Sequence, residues 1–299
     1  MKSTLTEAKA GLFTTKPELK GLATASQAYD LVLQKFNQIE HIQSFPERLE
    51  ARVSEKRFIA AVDLIREASA LVRRPELESI GGLGDMRTYF SNQETSLTDI
   101  LIEELHDHLY LKSPYCRDRW KPPTNEDGTP ASSLTGNDPS ERPVYQFLAT
   151  LDTSTPLIED ASRNPEADTF YYIQLVIEAL HKMGSLEVAV DRIEQRLPVD
   201  LYSVVDKTSA EVGARYPKHA RSGIKEDRVF GPTVDPTAER GYVLSEFLWN
   251  LYAKFEAIAE GHRVMHDVIV GIIKRENISN SGSLTTGFQE LWQLYQSEV

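Results

Sequence analysis

The sequence predicts an all-α protein. Apolar residues recur at steps of three and four almost wherever a periodic pattern can be recognised, and the strict alternation typical of strands is hard to find. Proline and glycine fall between these apolar stripes, where they end helices. With 299 residues, of which 40% are apolar and 26% charged, the chain can bury a substantial core.

The first apolar stripe predicts a helix that begins near Leu22. The pair Phe45-Pro46 is expected to interrupt it, because proline lacks an N–H group and clashes with the preceding turn. A shorter helix would then continue through Leu49 and Val53. The stripe comprises Leu22, Ala25, Tyr29, Val32, Phe36 and Ile39.

Two further helices are predicted in the next sixty residues. One begins at Phe58 and is ended by Pro75, and a glycine-rich break at 81–84 precedes a long helix that extends to about Lys112. Their predicted core face consists of Phe58, Ala61, Ile65, Leu97, Leu101, Leu105 and Leu109.

The composition changes at Ser113. Residues 113–143 hold six of the fifteen prolines and few aliphatic side chains, a composition typical of a mobile linker. A short helical segment is compatible with 144–151, and the chain is then irregular to about Asp168.

A second helical block begins near Thr169. One helix is expected to end at Gly184 and the next at Pro198, followed by a long helix over 241 to about 275 and a last one around 284–295. The predicted core residues of this block are Ile177, Leu180, Val190, Ile193, Leu251, Phe255, Ile258 and Met265.

Charge and cysteine content exclude several functional classes. The formal charge of −12 argues against a nucleic-acid surface, which needs clustered lysine and arginine. The single cysteine, Cys116, cannot form an intramolecular disulfide and fits a reducing compartment. Since no run of about 18 apolar residues exists, we predict a cytoplasmic chain without direct membrane insertion.

One short stretch, IEELHDHLYLKSPY at 102–115, resembles the Glu-x-x-His ligands of a di-iron helix bundle. Successive residues of a helix advance about 100°, so His106 and His108 lie about 200° apart and cannot share an ion. Glu103 and His106 are expected to face away from the core, with His108 at its edge. Because the candidate ligands, which include Glu104, divide between two faces, we predict no metal and no cofactor.

Two other candidates for chemistry are also rejected. His262 and His266 share a helix face, as in zinc metalloproteases, but Arg263 occupies the place of the catalytic glutamate, so His262 is expected to be a core residue. Cys116 is expected in the linker, far from a suitable histidine, and no Gly-x-Ser-x-Gly elbow occurs. We therefore predict no catalytic residue and no small-molecule substrate.

Several segments resemble a known family. LTDILIEELHDHLYLKSPYCRDRW at 97–120, IEALHKMGSLEVAVDRIEQRLPVDLY at 177–202 and LWNLYAKFEAIAEGHRVMHDVI at 248–269 are similar to exocyst complex component four, called Sec eight, in its fungal form. Residues 36–89 resemble the same family. The resemblance covers most of the chain apart from the linker, and indicates an N-terminal-to-middle fragment of a longer protein.

The resemblance implies both a fold and a function. The fold would be an elongated rod of stacked helical bundles with a long N-terminal helix that joins a coiled coil. The function would be that of a non-enzymatic subunit that tethers secretory vesicles to the plasma membrane before fusion. Partners would be other exocyst subunits, especially the one called Sec six, and we expect Leu22, Tyr29, Val32 and Phe36 to pack against them.

Four segments are predicted on this basis. Residues 1–45 would end the N-terminal coiled-coil helix, 46–112 would form a first bundle, 113–168 the proline-rich linker, and 169–299 a second bundle truncated at its C-terminal end. Three alternatives stay open: a scaffold of another vesicle-tethering or coat complex, an adaptor that binds peptides or a small GTPase, and a metal-dependent helical enzyme.

Overall fold

A computed structural model of the chain describes residues 2–78, 80–116, 143–160, 162, 164–216 and 236–277, with the isolated positions 293, 296 and 297. Every regular element within these ranges is helical, which confirms the predicted fold class. The predicted last helix around 284–295, apart from Gln293, and residues 117–142 of the predicted linker lie outside the described residues.

Eight α-helices are described. They are α1 (Lys2–Ser54), α2 (Phe58–Val72), α3 (Pro75–Glu78), α4 (Gly84–Leu109), α5 (Pro143–Thr150), α6 (Thr169–Met183), α7 (Leu186–Arg215) and α8 (Pro236–Glu276). Single 3-10 turns occur at Gly81–Leu83, Pro114–Cys116 and Pro165–Ala167. The short helix allowed by the sequence within 144–151 is therefore present as α5.

The expected break at Phe45-Pro46 is wrong, because α1 runs through it without interruption. Proline in a helix interior costs about 3 kcal/mol. Ile42, Phe45 and Leu49 are all buried on one face of this part of α1, and Phe45 meets Phe90 edge-on at a centroid distance of 6.3 Å. Packing of that face outweighs the lost backbone hydrogen bond.

The two ends predicted in the second helical block had different outcomes. Gly184 does end α6: its φ of 74° lies in the left-handed region, which glycine adopts without a steric penalty, and its N–H is donated back to the last turn. Pro198 does not end α7, which continues to Arg215. Buried Leu197 and Leu201 on either side of the proline hold this helix in place.

The chain divides into two compact units. The first comprises Met1–Glu55 and Asp63–Gln93, and the second comprises Lys56–Val62 and Glu94–Val299. Both α2 and α4 contribute residues to each unit. The four predicted segments are defined differently, by composition and resemblance, and stay a prediction.

The core of the first unit is formed by α1, α2, α3 and α4. Its buried side chains are Ile42, Phe45, Ala68, Val72, Leu77, Leu83 and Phe90. Arg87 donates through Nη2 to the carbonyl oxygen of Leu77 at 2.9 Å, which satisfies a carbonyl at the end of the short α3.

In the second unit, α6 is the central helix. All of its residues from Thr169 to Leu180 except Tyr171 are buried, and it packs against both α7 and α8. Asp168 begins this helix by accepting hydrogen bonds from the N–H groups of Phe170 and Tyr171. Of the fifteen predicted core residues, the structure buries all except Leu251, which is half-buried.

Candidate partner-binding helix and buried polar clusters

The middle of α1 exposes an apolar seam. All residues from 21 to 37 are exposed, including the four predicted partner-packing residues. Their exposed fractions are 68% for Leu22, 71% for Tyr29, 48% for Val32 and 63% for Phe36. The spacing of seven between Leu22, Tyr29 and Phe36, with Ala25 and Val32 between them, is the heptad pattern of a coiled coil.

Charge is sparse along this seam. Asp30 and Lys35 are the charged residues between 21 and 37, so the surface has no concentration of either sign. A surface of this kind suits an apolar helix and does not suit a phosphate group.

The second unit contains a polar cluster around Glu104 of α4. Lys56 donates to Oε1 of Glu104, and the Tyr172 hydroxyl donates to Oε2 at 2.7 Å. Burial and the hydrogen bond to Glu104 raise the pKa of Tyr172, so this phenol remains a donor. His108 lies beside them, its ring 4.2 Å from the Tyr172 ring, and Glu166 places Oε1 3.8 Å from His108 Nε2.

The structure corrects the expectation for Cys116 and places His108 deeper than expected. Cys116 is buried in the 3-10 turn after α4, and its Sγ lies 3.7 Å from Nδ1 of His108. The thiol also donates to the carbonyl oxygen of His108 at 3.5 Å. His108 itself is fully buried instead of lying at the core edge.

His106 was expected to face away from the core, and that expectation is wrong. Its side chain is 1% exposed, and Nε2 contacts the Asp200 carboxylate of α7, which also accepts from Lys112 Nζ at 3.0 Å. Burial alone would raise the pKa of Asp200, but hydrogen bonds from His106 and Lys112 lower it overall. This carboxylate therefore stays ionised and ties α7 to α4.

A third ionic cluster joins α6 to the last turn of α8. Arg275 donates from its two terminal nitrogens to the two oxygens of Glu178, at 2.8 and 2.9 Å. Glu178 and His181 form a second Glu-x-x-His pair, which the sequence reasoning overlooked. Because Glu178 is held by Arg275 and His181 lies 3.8 Å from Glu276, this pair serves as an ionic contact between helices.

The second histidine pair divides between core and surface. His262 is buried, as predicted, with its ring edge-on to Tyr110 at 5.6 Å. His266 is partly exposed and contacts its neighbour Asp267 at 3.0 Å.

Sequence reasoning missed the partners that complete these clusters. Lys56 lies 48 residues from Glu104 in the sequence, and Asp200 lies 94 residues from His106. Glu166 lies 58 residues from His108. The only local signal was the i, i+4 pair of Glu104 and His108, which spacing places on one helix face.

Among the helices of the described residues, none has a stretch long and apolar enough to cross a membrane. An all-helical chain with helices tied by buried ion pairs, and with one long helix that exposes a heptad seam, belongs to the class of helical scaffold proteins. Residues 1–52 match the family described as "Exocyst complex component Sec8 N-terminal", and residues 164–299 match "Exocyst complex component Sec8 C-terminal". The chain belongs to this Sec eight family of exocyst components, as the resemblance indicated.

Individual relatives agree with the family assignment. The chain is 46% identical over 302 residues to a probable exocyst complex component sec8 of Neurospora crassa, covering 100% of this chain and 27% of the relative. It is 27% identical over 286 residues to exocyst complex component 4 of Mus musculus, covering 89% of this chain and 28% of the relative. The chain thus spans about a quarter of the length of the curated relatives it matches, and no solved structure matches it.

Proposed function

We propose that this chain is part of a structural, non-enzymatic subunit of the exocyst, the complex that tethers secretory vesicles to the plasma membrane before fusion. Membership of the Sec eight family supports this assignment. The observation that carries it is the exposed heptad seam of α1, which has the spacing and apolar character of a surface made to pack against other helices.

The seam would bind helices of other exocyst subunits, with the subunit called Sec six as the main partner. Burying a Leu, Val or Phe side chain fully contributes about 1.5–3 kcal/mol, so the four large residues of the seam supply several kcal/mol before the costs of association. Changing a side chain that is about half exposed or more costs the unbound chain little stability. Its main contribution is therefore to the free energy of binding.

The rest of the chain would act by geometry. Buried apolar faces and the ion pairs Arg275–Glu178 and His106–Asp200 hold the helices of the second unit in fixed positions. Tethering needs reach and several simultaneous weak contacts, and neither requires bond chemistry. The protein would be cytoplasmic and held at sites of secretion through the complex, without inserting in the membrane, binding nucleic acid or acting on a small-molecule substrate.

The test is a binding measurement with matched charge substitutions on α1. The 299-residue chain is mixed with the purified Sec six subunit, and affinity is compared for wild type, Val32→Glu, Tyr29→Glu and Gln27→Glu. Gln27 lies two residues from both Ala25 and Tyr29 of the seam and is exposed, so it receives the same charge outside the apolar contact.

We expect the two seam variants to lose at least tenfold in affinity while Gln27→Glu binds like wild type, and the melting temperature to stay the same in all three. Equal binding by Val32→Glu and Gln27→Glu would refute the role of the seam. Capture of cellular partners by the tagged chain addresses the wider assignment, since recovery of another tethering or coat complex without exocyst subunits would contradict it.

A further inference from the structure

We propose that Glu104, His108 and Glu166 form a binding site for one zinc ion in the second unit of the chain. These residues each offer one ligand atom, and the three atoms lie within 4.8 Å of one another. The inference is independent of the proposed tethering function, since it concerns a cluster within the unit and involves no partner.

The three ligands come from elements with fixed positions. Glu104 and His108 are one turn apart on α4, so both point to the same side of that helix. Glu166 is in the 3-10 turn that leads into α6, and this turn packs directly against α6. His108 forms the fully buried wall of the cluster, whereas the side chains of Glu104 and Glu166 are 20% and 18% exposed, which leaves an entry path for an ion.

The environment of His108 orients its second nitrogen toward the carboxylates. The Cys116 thiol donates to the His108 carbonyl oxygen, so its sulfur lone pairs can accept from Nδ1 of His108, 3.7 Å away, when the ring carries its proton there. In that tautomer Nε2 carries a lone pair, and Glu166 Oε1 lies 3.8 Å from it. A lone pair that faces carboxylates repels them, and a cation between them converts the repulsion into attraction.

The charges around the cluster leave room for such a cation. Among the described residues, Glu104 and Glu166 bring two carboxylates to the cluster, and Lys56 is the cation that contacts Glu104. Tyr172 meanwhile holds Glu104 by donating to Oε2, the supporting contact that metal-binding carboxylates usually have.

One imidazole and two carboxylates suit zinc, and a water would fill the fourth tetrahedral position. Zinc binds such ligands at about 2.0–2.2 Å. The three ligand atoms, which now lie within 4.8 Å of one another, must therefore move closer together to bind one ion. The two partly exposed glutamate side chains can make that movement without repacking the core.

The experiment is a zinc titration of the chelator-treated 299-residue chain against a chromophoric competitor, with the melting temperature as a second readout. We expect one Zn²⁺ per chain and a rise in melting temperature with zinc, because an ion that binds the folded state stabilises it. Glu166→Gln keeps the shape of a partly exposed side chain and should weaken binding at least tenfold. Lys56→Met should strengthen binding severalfold, because it removes the competing positive charge from Glu104.

Two control variants identify the ligands. His266→Gln changes a partly exposed histidine on α8 and should bind zinc like wild type. Cys116→Ser should also retain binding, because the sulfur lies behind the imidazole, next to Nδ1. The proposal is overturned if zinc binds Glu166→Gln as tightly as wild type, if Cys116→Ser abolishes binding, or if wild type binds no zinc and the cluster takes up a proton only.

Discussion

The bidentate pair between Arg275 and Glu178 provides the sharpest test of how the second unit is held together. Both side chains are nearly buried, with 10% of Arg275 and 4% of Glu178 exposed, and the two hydrogen bonds are 2.8 and 2.9 Å long. Arg275→Met removes one partner and leaves the Glu178 carboxylate, which is 4% exposed, without its bidentate donor. Removing one member of a buried ion pair costs about 3–5 kcal/mol, because the remaining charge is uncompensated.

Arg275 is slightly more exposed than its partner, so we expect the lower end of that range, about 3 kcal/mol, for Arg275→Met. Glu178→Leu should cost about the same, since it removes the bidentate acceptor and leaves the guanidinium only longer contacts, such as the one between its Nε and Glu276 Oε1 at 3.5 Å. The double variant removes both charges together, so neither is left uncompensated, and we expect it to fall within about 1 kcal/mol of wild type. The two single effects should therefore be strongly non-additive.

Urea denaturation followed by far-ultraviolet circular dichroism measures this double-mutant cycle. The four proteins must show the same dependence on urea concentration for their free energies of unfolding to be compared. If the double variant lost the sum of the two single costs, the pair would not act as a coupled unit, and its place in the stability of α6 and α8 would be refuted.

Three further perturbations follow from the structure. Leu105→Asp should cost about 3–5 kcal/mol by burying an uncompensated charge at a position that is 1% exposed, and an unchanged melting temperature would disprove this core assignment. The pKa of Asp200 is lowered by folding, so its stabilising effect is complete above pH about 4 and is lost as pH falls through the folded-state pKa. In urea unfolding across that range, the free energy of unfolding of Asp200→Asn should depend less on pH than that of wild type. Gly271→Ala should cost about 1–3 kcal/mol, because its new Cβ would lie 2.3 Å from Thr153 Oγ1. Adding Thr153→Gly to this variant should recover part of the lost stability in thermal melts, and an unchanged melting temperature for Gly271→Ala alone would contradict this close approach.

The helices could be predicted from the sequence because their apolar faces repeat with helical period, and that period is a local property. Gly184 was recognised correctly as a helix end, since glycine is favoured in the left-handed conformation that ends α6. Pro46 and Pro198 were assigned wrongly as ends. Their cost is local, but the packing of Phe45 and Leu201 that offsets it depends on the rest of the fold.

The polar clusters were less predictable for the same reason. Spacing alone placed His106 on a solvent face, because the stripe of leucines on α4 defines only one buried direction. α4 is also covered on other sides, where Asp200 and Lys112 meet His106. Asp200 lies 94 residues from His106 and 88 from Lys112, and one sequence has no local signal that pairs residues so far apart.

The apolar stripe of α1 changes its spacing where its surroundings change. From Leu22 to Ile39 the steps alternate strictly between three and four, which keeps a seam facing a partner helix that supercoils around it. Ile39 is followed by two further steps of three, to Ile42 and Phe45, and this breaks the heptad. Ile42 and Phe45 of this stripe are buried within the first unit, whereas its members from Leu22 to Phe36 are exposed. The break in period thus separates the part of α1 that packs within its own chain from the part whose regular seam can accept a helix of another.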